Sequence, residues 1–153
     1  MDYIGIGEMI RKGGVYKDVP GSTTDEIYQN ISKIVNLPDG MTSEQLYNAL
    51  CAREHVLSTA VGNGISLPHA RSPIVKNEND QRICVVYLKE PISMNAPDER
   101  DVFVMFVLLT QNSQVHLKVI SSLATLFRSP KFRKALELKA GEAELSELIQ
   151  ELA

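Results

Sequence analysis

The chain has few cysteines, no tryptophan and no long hydrophobic run, and these shortages exclude several classes of protein. Its 153 residues include two cysteines, Cys51 and Cys84, too few for a disulfide framework and without the CxxC spacing of a zinc site. The longest apolar run, residues 102–109, is far shorter than the ~20 residues of a transmembrane helix. No secretory signal is recognisable at the N-terminus. We therefore expect a protein of the reducing cytoplasm, not embedded in a membrane, with two buried thiols.

Basic residues are also in short supply. Sixteen Lys and Arg against nineteen Asp and Glu give a net charge of −3. This balance disfavours a nucleic-acid-binding protein, because the phosphate backbone rewards a basic excess. The hydrophobic share of 44% and the charged share of 23% are those of a globular chain. With no repeat, low-complexity tract or linker, the sequence predicts one domain over residues 1–153.

Helix signals occupy the N-terminal third of the chain. The segment 1–12 has weak helical periodicity. Thr23 with Glu26, and Thr42 with Gln45, have the spacing of a capping box, which predicts a helix after each threonine.

The C-terminal third has the same kind of signals. Ser113 is the predicted cap of one helix, and Ser129 followed by Pro130 predicts the start of another. Gly141 is the predicted end of that second helix, and an apolar stripe over 145–152 predicts a last one.

One strand-like segment lies within the N-terminal helical region, and the others lie between the two helical regions. Residues 15–19, 83–88 and 102–109 are predicted strands, and 91–100 is a predicted loop with two prolines. The run 102–109 is apolar throughout, as expected for a central strand covered on both faces. Residues 56–70, interrupted by glycines and a proline, form either a bent strand or a loop. The pattern predicts an α/β or α+β sandwich with helices on both faces of a sheet.

The three histidines are the candidate chemical groups, because imidazole titrates near neutral pH and can act as a nucleophile. His69 follows Pro68 in a glycine-containing segment, which favours an oriented, exposed ring or a loop histidine bonded to a backbone carbonyl. His116 lies in the predicted first turn of a helix, whose positive end suits a phosphate, although a polar residue there can have no function. His55 follows a helix end and is interpreted as a surface residue.

The stretch from Arg53-Glu54 to His69 resembles the signature of the enzyme IIA domains of the phosphotransferase system, fructose/mannitol class. That signature is an R-E pair, a T-x-x-G-x-G turn, and an apolar step into P-H. The resemblance runs from about Met9 to Leu152. Gly62-Asn63-Gly64 is more similar to the nitrogen-regulatory branch of the family than to the sugar-transport branch.

The resemblance implies a mixed sheet of about five strands with helices on both sides, and a phosphoryl relay. His69 would accept a phosphoryl group on the ring nitrogen farther from the backbone, the tele position, from the phosphohistidine of HPr or its nitrogen-branch paralogue. The second histidine and the basic residue of the family match His116 and Arg53. The hydroxyls of Ser58 or Thr59 would add hydrogen-bond donors. No metal or organic cofactor is implied.

Two positions depart from the family pattern. Ser66 stands where alanine is more usual, and Asp98-Glu99 stands where Asp-Gly is more usual. Neither position is the proposed nucleophile, so these departures bear on the branch more than on the family.

Four functions remain open from the sequence. The main prediction is a nitrogen-regulatory phosphocarrier whose phosphorylation state controls partner proteins. The second is the IIA component of a sugar uptake system that passes phosphate to a IIB domain. The third is a binding module that keeps the fold without being phosphorylated. The fourth is a histidine-pair metal site, for which two histidines fall short of the three or four ligands of zinc.

Overall fold

Five strands form one mixed sheet in the computed structural model, which describes residues 4–72 and 74–152. The strand order is β1-β4-β5-β3-β2, so β5 is central, as its apolar sequence predicts. The pairs β1–β4 and β3–β5 are parallel, whereas β4–β5 and β2–β3 are antiparallel. The strands are β1 Val15–Val19, β2 Ala60–Gly62, β3 Ile65–Ser66, β4 Arg82–Ile92 and β5 Val102–Leu109.

Helices cover both faces of this sheet. Helices α1, α4, α5 and α6 bury their apolar sides against one face, and α2 and α3 against the other. The predicted α/β sandwich is therefore confirmed, although residues 1–3 of the predicted first helix lie outside the described part. The helices are α1 Ile4–Gly13, α2 Thr24–Ile34, α3 Ser43–Glu54, α4 Ser113–Phe127, α5 Pro130–Glu137 and α6 Glu142–Leu152.

Three of the predicted helix starts are confirmed by their hydrogen bonds. The Thr23 hydroxyl caps α2, and Thr42 forms a reciprocal capping box with Gln45 at the start of α3. Ser129 caps α5, with Pro130 at its first position. Each cap pairs a backbone N–H that has no partner within the helix.

Two predicted helix boundaries are wrong by a few residues. The cap of α4 is Asn112 and not Ser113, because the extended Asn112 backbone lets its side-chain oxygen accept the Val115 N–H. Helix α5 ends before Gly141, because Lys139 adopts a left-handed conformation with φ 57°. Such a residue terminates a helix as glycine would.

Strand β4 is longer than the predicted strand 83–88 and continues through Pro91, inside the predicted loop 91–100. Its pairing with β5 is irregular between Tyr87 and Ile92, and Pro91 lies in this bulged segment. A bulge tolerates proline because its missing N–H interrupts no regular ladder bond.

The segment 56–70 forms a short hairpin, β2–β3, followed by an extended stretch that ends at His69. Its turn has three consecutive positive φ angles, 97° at Gly62, 56° at Asn63 and 78° at Gly64. A Cβ on Gly64 would lie 2.5 Å from a ring carbon of Phe103, so only glycine fits there. The turn thereby directs the chain toward the sheet edge where His69 lies.

The remaining global expectations concern cysteines and membrane spans. Cys51 and Cys84 are buried free thiols, as predicted. Within residues 4–72 and 74–152, no helix has the length and apolar character needed to cross a bilayer.

Candidate functional site

The candidate site lies at one edge of the sheet, where two parallel strands end. Strands β3 and β5 run in parallel, so their carboxyl ends meet at the same edge. β3 continues through Leu67 and Pro68 to His69, and β5 leads through Thr110 into α4, which carries His116. A cleft of about 440 Å³ at this edge is lined by both histidines and by Arg53. The fold thus brings together the three residues that the resemblance singles out.

The His69 ring is held in a defined orientation by backbone on either side. The Pro68 carbonyl accepts a 2.9 Å hydrogen bond from the Leu108 N–H, and His69 itself bridges to Leu108. His69 Nδ1 lies 2.7 Å from the Leu67 carbonyl oxygen. Because a carbonyl oxygen can only accept, Nδ1 carries the proton and donates it. In the neutral ring the lone pair is therefore on Nε2.

His116 lies beside His69, on the first turn of α4. The two ring centroids are 4.6 Å apart and the rings are tilted by 51°. The backbone N–H of His116 donates to the Asn112 carbonyl over 3.0 Å, which fixes the backbone at the helix start. Its Nδ1 lies 3.2 Å from Thr110 Oγ1. His116 is therefore positioned both by its helix and by the end of the central strand.

Arg53 lies in the last turn of α3 and lines the same cleft. Its Nη1 donates a 2.6 Å hydrogen bond to the carbonyl of Leu57, in the connection beyond the helix. This partner is not one of the last helix carbonyls. The bond leaves the other guanidinium nitrogens for an anion in the cleft.

Both cleft histidines are held toward the neutral form. Burial is the largest cause that lowers the pKa of His69, with a smaller contribution from the Arg53 charge. Burial likewise lowers the pKa of His116, followed by the His69 and Arg53 charges. A neutral imidazole keeps a lone pair that a protonated ring lacks. The electrostatics of the cleft thus preserve a nucleophilic nitrogen at neutral pH.

The predicted hydroxyl donors are used elsewhere. The Thr59 hydroxyl donates to Glu54 Oε1 over 2.7 Å, and the Ser58 hydroxyl donates to the Met94 carbonyl. Neither side chain lines the cleft, so their expected role as donors is wrong. Glu54 also accepts from the Tyr28 hydroxyl, which makes it a structural centre that the sequence reasoning missed. The only signal for it is its place beside Arg53 in the R-E pair.

The cleft contains further residues that the sequence reasoning missed. Arg71, two residues after His69, is among the residues that line it, and the Thr110 hydroxyl lies 3.2 Å from His116 Nδ1. The signal for Arg71 is its spacing from the histidine. Thr110 has none, because a threonine at a strand end has many ordinary explanations.

Two sequence interpretations remain, that of His55 and that of a histidine-pair metal site. His55 is exposed and lies 3.6 Å from Asp25, outside the cleft lining, as its interpretation as a surface residue predicts. Among residues 4–72 and 74–152, no three or more His, Cys, Asp or Glu side chains are grouped to bind a metal. The cleft suits an anion instead, since it combines two imidazoles with the Arg53 guanidinium.

A mixed five-stranded sheet with two histidines and an arginine at one end of its parallel strands is the arrangement that the family resemblance implies. Residues 8–152 match the family described as "Phosphoenolpyruvate-dependent sugar phosphotransferase system, EIIA 2", and the chain belongs to this family. The predicted family is thereby confirmed.

Individual relatives agree in name and fold. The Nitrogen regulatory protein of Klebsiella oxytoca is 32% identical over 126 residues, which cover 79% of this chain and 75% of that protein. The Nitrogen regulatory protein of Pseudomonas aeruginosa is 29% identical over 132 residues, 80% of each chain. The crystal structure of Nitrogen Regulatory Protein IIA-Ntr from Neisseria meningitidis superposes with a TM-score of 0.80 at 25% identity, covering 94% of this chain and 98% of that one.

Proposed function

We propose that this chain is a histidine phosphocarrier that regulates partner proteins through its phosphorylation state. It accepts a phosphoryl group on Nε2 of His69 from the phosphohistidine of HPr or its nitrogen-branch paralogue. The observation that carries the proposal is the 2.7 Å contact between His69 Nδ1 and the Leu67 carbonyl, which leaves the lone pair on Nε2 in a cleft shared with His116 and Arg53. The names of its relatives support the regulatory role.

The transfer exchanges one nitrogen–phosphorus bond for another and needs no cofactor. The Nε2 lone pair of His69 attacks the phosphorus in line with the donor's nitrogen–phosphorus bond. The new N–P bond forms as the old one breaks, and the bonding electrons return to the donor imidazole. His69 Nδ1 keeps its proton and its bond to the Leu67 carbonyl throughout. Onward transfer is the same step in reverse, with a different acceptor nucleophile.

Cationic and dipolar groups favour the phosphoryl group in this cleft. The phosphoryl brings about −1.5 to −2 charges. The Arg53 charge acts on both cleft histidines, and Arg71 is also among the residues that line the cleft. Ser113, the first residue of α4, lies there as well, so the positive end of that helix is near. His116 supplies a ring nitrogen beside the acceptor. These groups stabilise the equatorial oxygens, which is the main catalytic task in phosphoryl transfer.

The rim of the cleft suits a protein donor. Val56, Leu57 and Leu117 line it and are exposed large hydrophobics. An apolar rim around a polar centre is typical of a transient protein interface. A phosphocarrier protein can dock there and bring its phosphohistidine to His69. Buried free thiols fit a cytoplasmic site of action for this exchange.

The test is phosphorylation by the purified relay. The chain is incubated with phosphoenolpyruvate, enzyme I and either HPr or its nitrogen-branch paralogue, and its intact mass is measured, followed by peptide mapping. We expect one acid-labile phosphoryl group on His69. His69→Ala folds and gains none, whereas His55→Ala, an exposed histidine outside the cleft, gains it as the wild type does. A phosphorylated His69→Ala variant overturns the assignment, and an unmodified wild type leaves the binding-module function.

The second candidate is the IIA component of a fructose/mannitol-type sugar uptake system. It is supported by the family description, which names a sugar phosphotransferase system. The two functions differ in the acceptor. Phosphorylated chain is mixed with a purified IIB domain, and loss of phosphate from His69 is followed in time. Rapid transfer to the IIB domain supports sugar uptake, whereas retention of the phosphate supports the regulatory role.

A further inference from the structure

The hydroxyl of Thr110, the residue that follows the central strand, contacts the His116 ring. Thr110 directly follows β5, and its Oγ1 lies 3.2 Å from His116 Nδ1. The residue is buried, with 5% of its surface exposed, at the inner wall of the cleft. A buried hydroxyl next to an imidazole nitrogen determines which of the two ring nitrogens carries the proton.

The direction of this hydrogen bond follows from the bonding needs of the hydroxyl. Within residues 4–72 and 74–152, the only hydrogen-bond partner of Thr110 Oγ1 is His116 Nδ1. If the hydroxyl accepted from Nδ1–H, its own proton would have no acceptor among the protein groups of residues 4–72 and 74–152. Leaving a buried donor unpaired is unfavourable. If the hydroxyl donates instead, both its proton and the Nδ1 lone pair are satisfied, and the ring proton is on Nε2.

The two histidines of the cleft are then in complementary forms. His69 carries its proton on Nδ1, bonded to the Leu67 carbonyl, and presents an Nε2 lone pair. His116 carries its proton on Nε2 and presents a donor. With ring centroids 4.6 Å apart, one ring can accept the phosphorus while the other donates to a phosphoryl oxygen. A neutral His116 therefore supplies a donor without first having to gain a proton.

We propose that Thr110 is a positioning residue whose hydroxyl holds His116 in the Nε2–H form. For the phosphoryl step the inference rests on the proposed function. The tautomer itself does not, because it is a property of the unphosphorylated protein.

The decisive experiment is a long-range ¹H–¹⁵N correlation spectrum of the ¹⁵N-labelled protein, recorded at a pH at which both imidazole rings are neutral. We expect the His116 Nδ1 resonance in the range of an unprotonated ring nitrogen and the Nε2 resonance in the range of a protonated one, with the opposite pattern for His69. A protonated His116 Nδ1 in the wild type overturns the inference, and this reading needs no variant.

Two variants of Thr110 add a second measurement. Thr110→Val replaces the hydroxyl with a methyl group of similar size, so the His116 signals move toward a mixture of both forms. Thr110→Ser keeps the hydroxyl and keeps the wild-type signals. An unchanged pattern in Thr110→Val also overturns the inference.

Phosphoryl exchange separates this inference from the proposed function. Thr110→Val slows transfer into and out of His69 by about 10–100-fold, the size of effect produced when the hydrogen-bond partner that orients a metal-binding histidine is removed. Thr110→Ser restores most of the rate. If wild-type His69 takes no phosphate, the proposed function fails while the spectrum still decides the tautomer. Wild-type exchange rates in Thr110→Val, with His69 phosphorylated, refute the positioning role alone.

Discussion

Both carboxylate oxygens of Glu54 accept hydrogen bonds from Thr59: Oε2 from the backbone N–H and Oε1 from the hydroxyl, each over 2.7 Å. The Tyr28 hydroxyl adds a third bond, to Oε1, over 2.5 Å. Glu54 ends α3, and Thr59 precedes the hairpin that leads to His69. This cluster therefore joins the helix that carries Arg53 to the segment that carries the acceptor.

Removing the Glu54 carboxylate should destabilise the protein. Glu54→Ala leaves three donors without their partner, and each buried unpaired donor costs about 1–3 kcal/mol. Urea unfolding should show a loss of about 3 kcal/mol or more, whereas Tyr28→Phe, which removes one of the three bonds, should lose about 1 kcal/mol. Equal stability of Glu54→Ala and the wild type would contradict the central role of this carboxylate.

Arg53→Lys tests the planar guanidinium. The lysine keeps the positive charge but cannot bond the Leu57 carbonyl and a phosphoryl oxygen together in the same fork. We expect transfer to His69 to slow by about tenfold or more, with little change in stability. Arg53→Met should be slower still and should raise the pKa of His69, because the Arg53 charge lowers it. Wild-type transfer by the lysine variant would leave Arg53 with only its structural bond.

The apolar rim predicts a defect in donor docking. Leu117→Gln should raise the donor concentration needed for half-maximal phosphorylation by about fivefold or more, the effect of losing an interface anchor. Leu138→Gln is the matched control, because Leu138 is as exposed, at 70% against 66% for Leu117, but lies outside the cleft lining. Equal effects of the two substitutions would count against docking at this rim.

In the glycine turn before His69, substitutions at the neighbouring positions Asn63 and Gly64 should differ strongly in their effect on stability. Gly64→Ala places a Cβ 2.5 Å from the Phe103 ring at a φ of 78°, and the clash and strain should cost about 2–4 kcal/mol in urea unfolding. Asn63→Gly keeps the backbone N–H that donates to Asp98 and should change stability by less than about 1 kcal/mol. Similar losses in both variants would show that turn strain is not the cause.

Much of the fold was predictable because its signals are local. The caps at Thr23, Thr42 and Ser129 are read directly from residue type and spacing, and the apolar run 102–109 identifies the central strand. The continuation of β4 through Pro91 was not predictable, since it depends on a bulge against a partner strand that local sequence does not reveal.

The candidate site was predictable only in part. His69, His116 and Arg53 came from a motif resemblance, and the structure brings all three to one cleft. The expected role of the Thr59 hydroxyl was wrong because the α3–β2 connection brings Glu54 next to it, and the hydroxyl donates to that carboxylate. The role of Thr110 depends equally on a tertiary contact. Residue types indicate which chemistry is available, but hydrogen bonds set by the path of the connecting loops decide which groups are free to perform it.

The lowered pKa values of His69 and His116 predict how stability and phosphate acceptance vary with pH. Burial lowers both pKa values below the ordinary 6.5. As pH falls through that value, the unfolded chain therefore binds protons before the folded protein does, and stability is lost. The urea concentration at the unfolding midpoint should decrease as the pH is lowered from about 8 to about 5. His69→Asn should have a shallower slope, because one of these groups is gone.

Proton NMR titration of the ring Cε1–H resonances measures the same groups directly. Both cleft histidines should titrate below 6.5, and His69→Asn should raise the pKa of His116, because the His69 charge lowers it. Phosphate acceptance should persist below pH 6.5 and decline only as the His69 lone pair is protonated. A His69 midpoint above 6.5, or a pH slope of stability unchanged in His69→Asn, would contradict burial as the cause that keeps this nucleophile neutral.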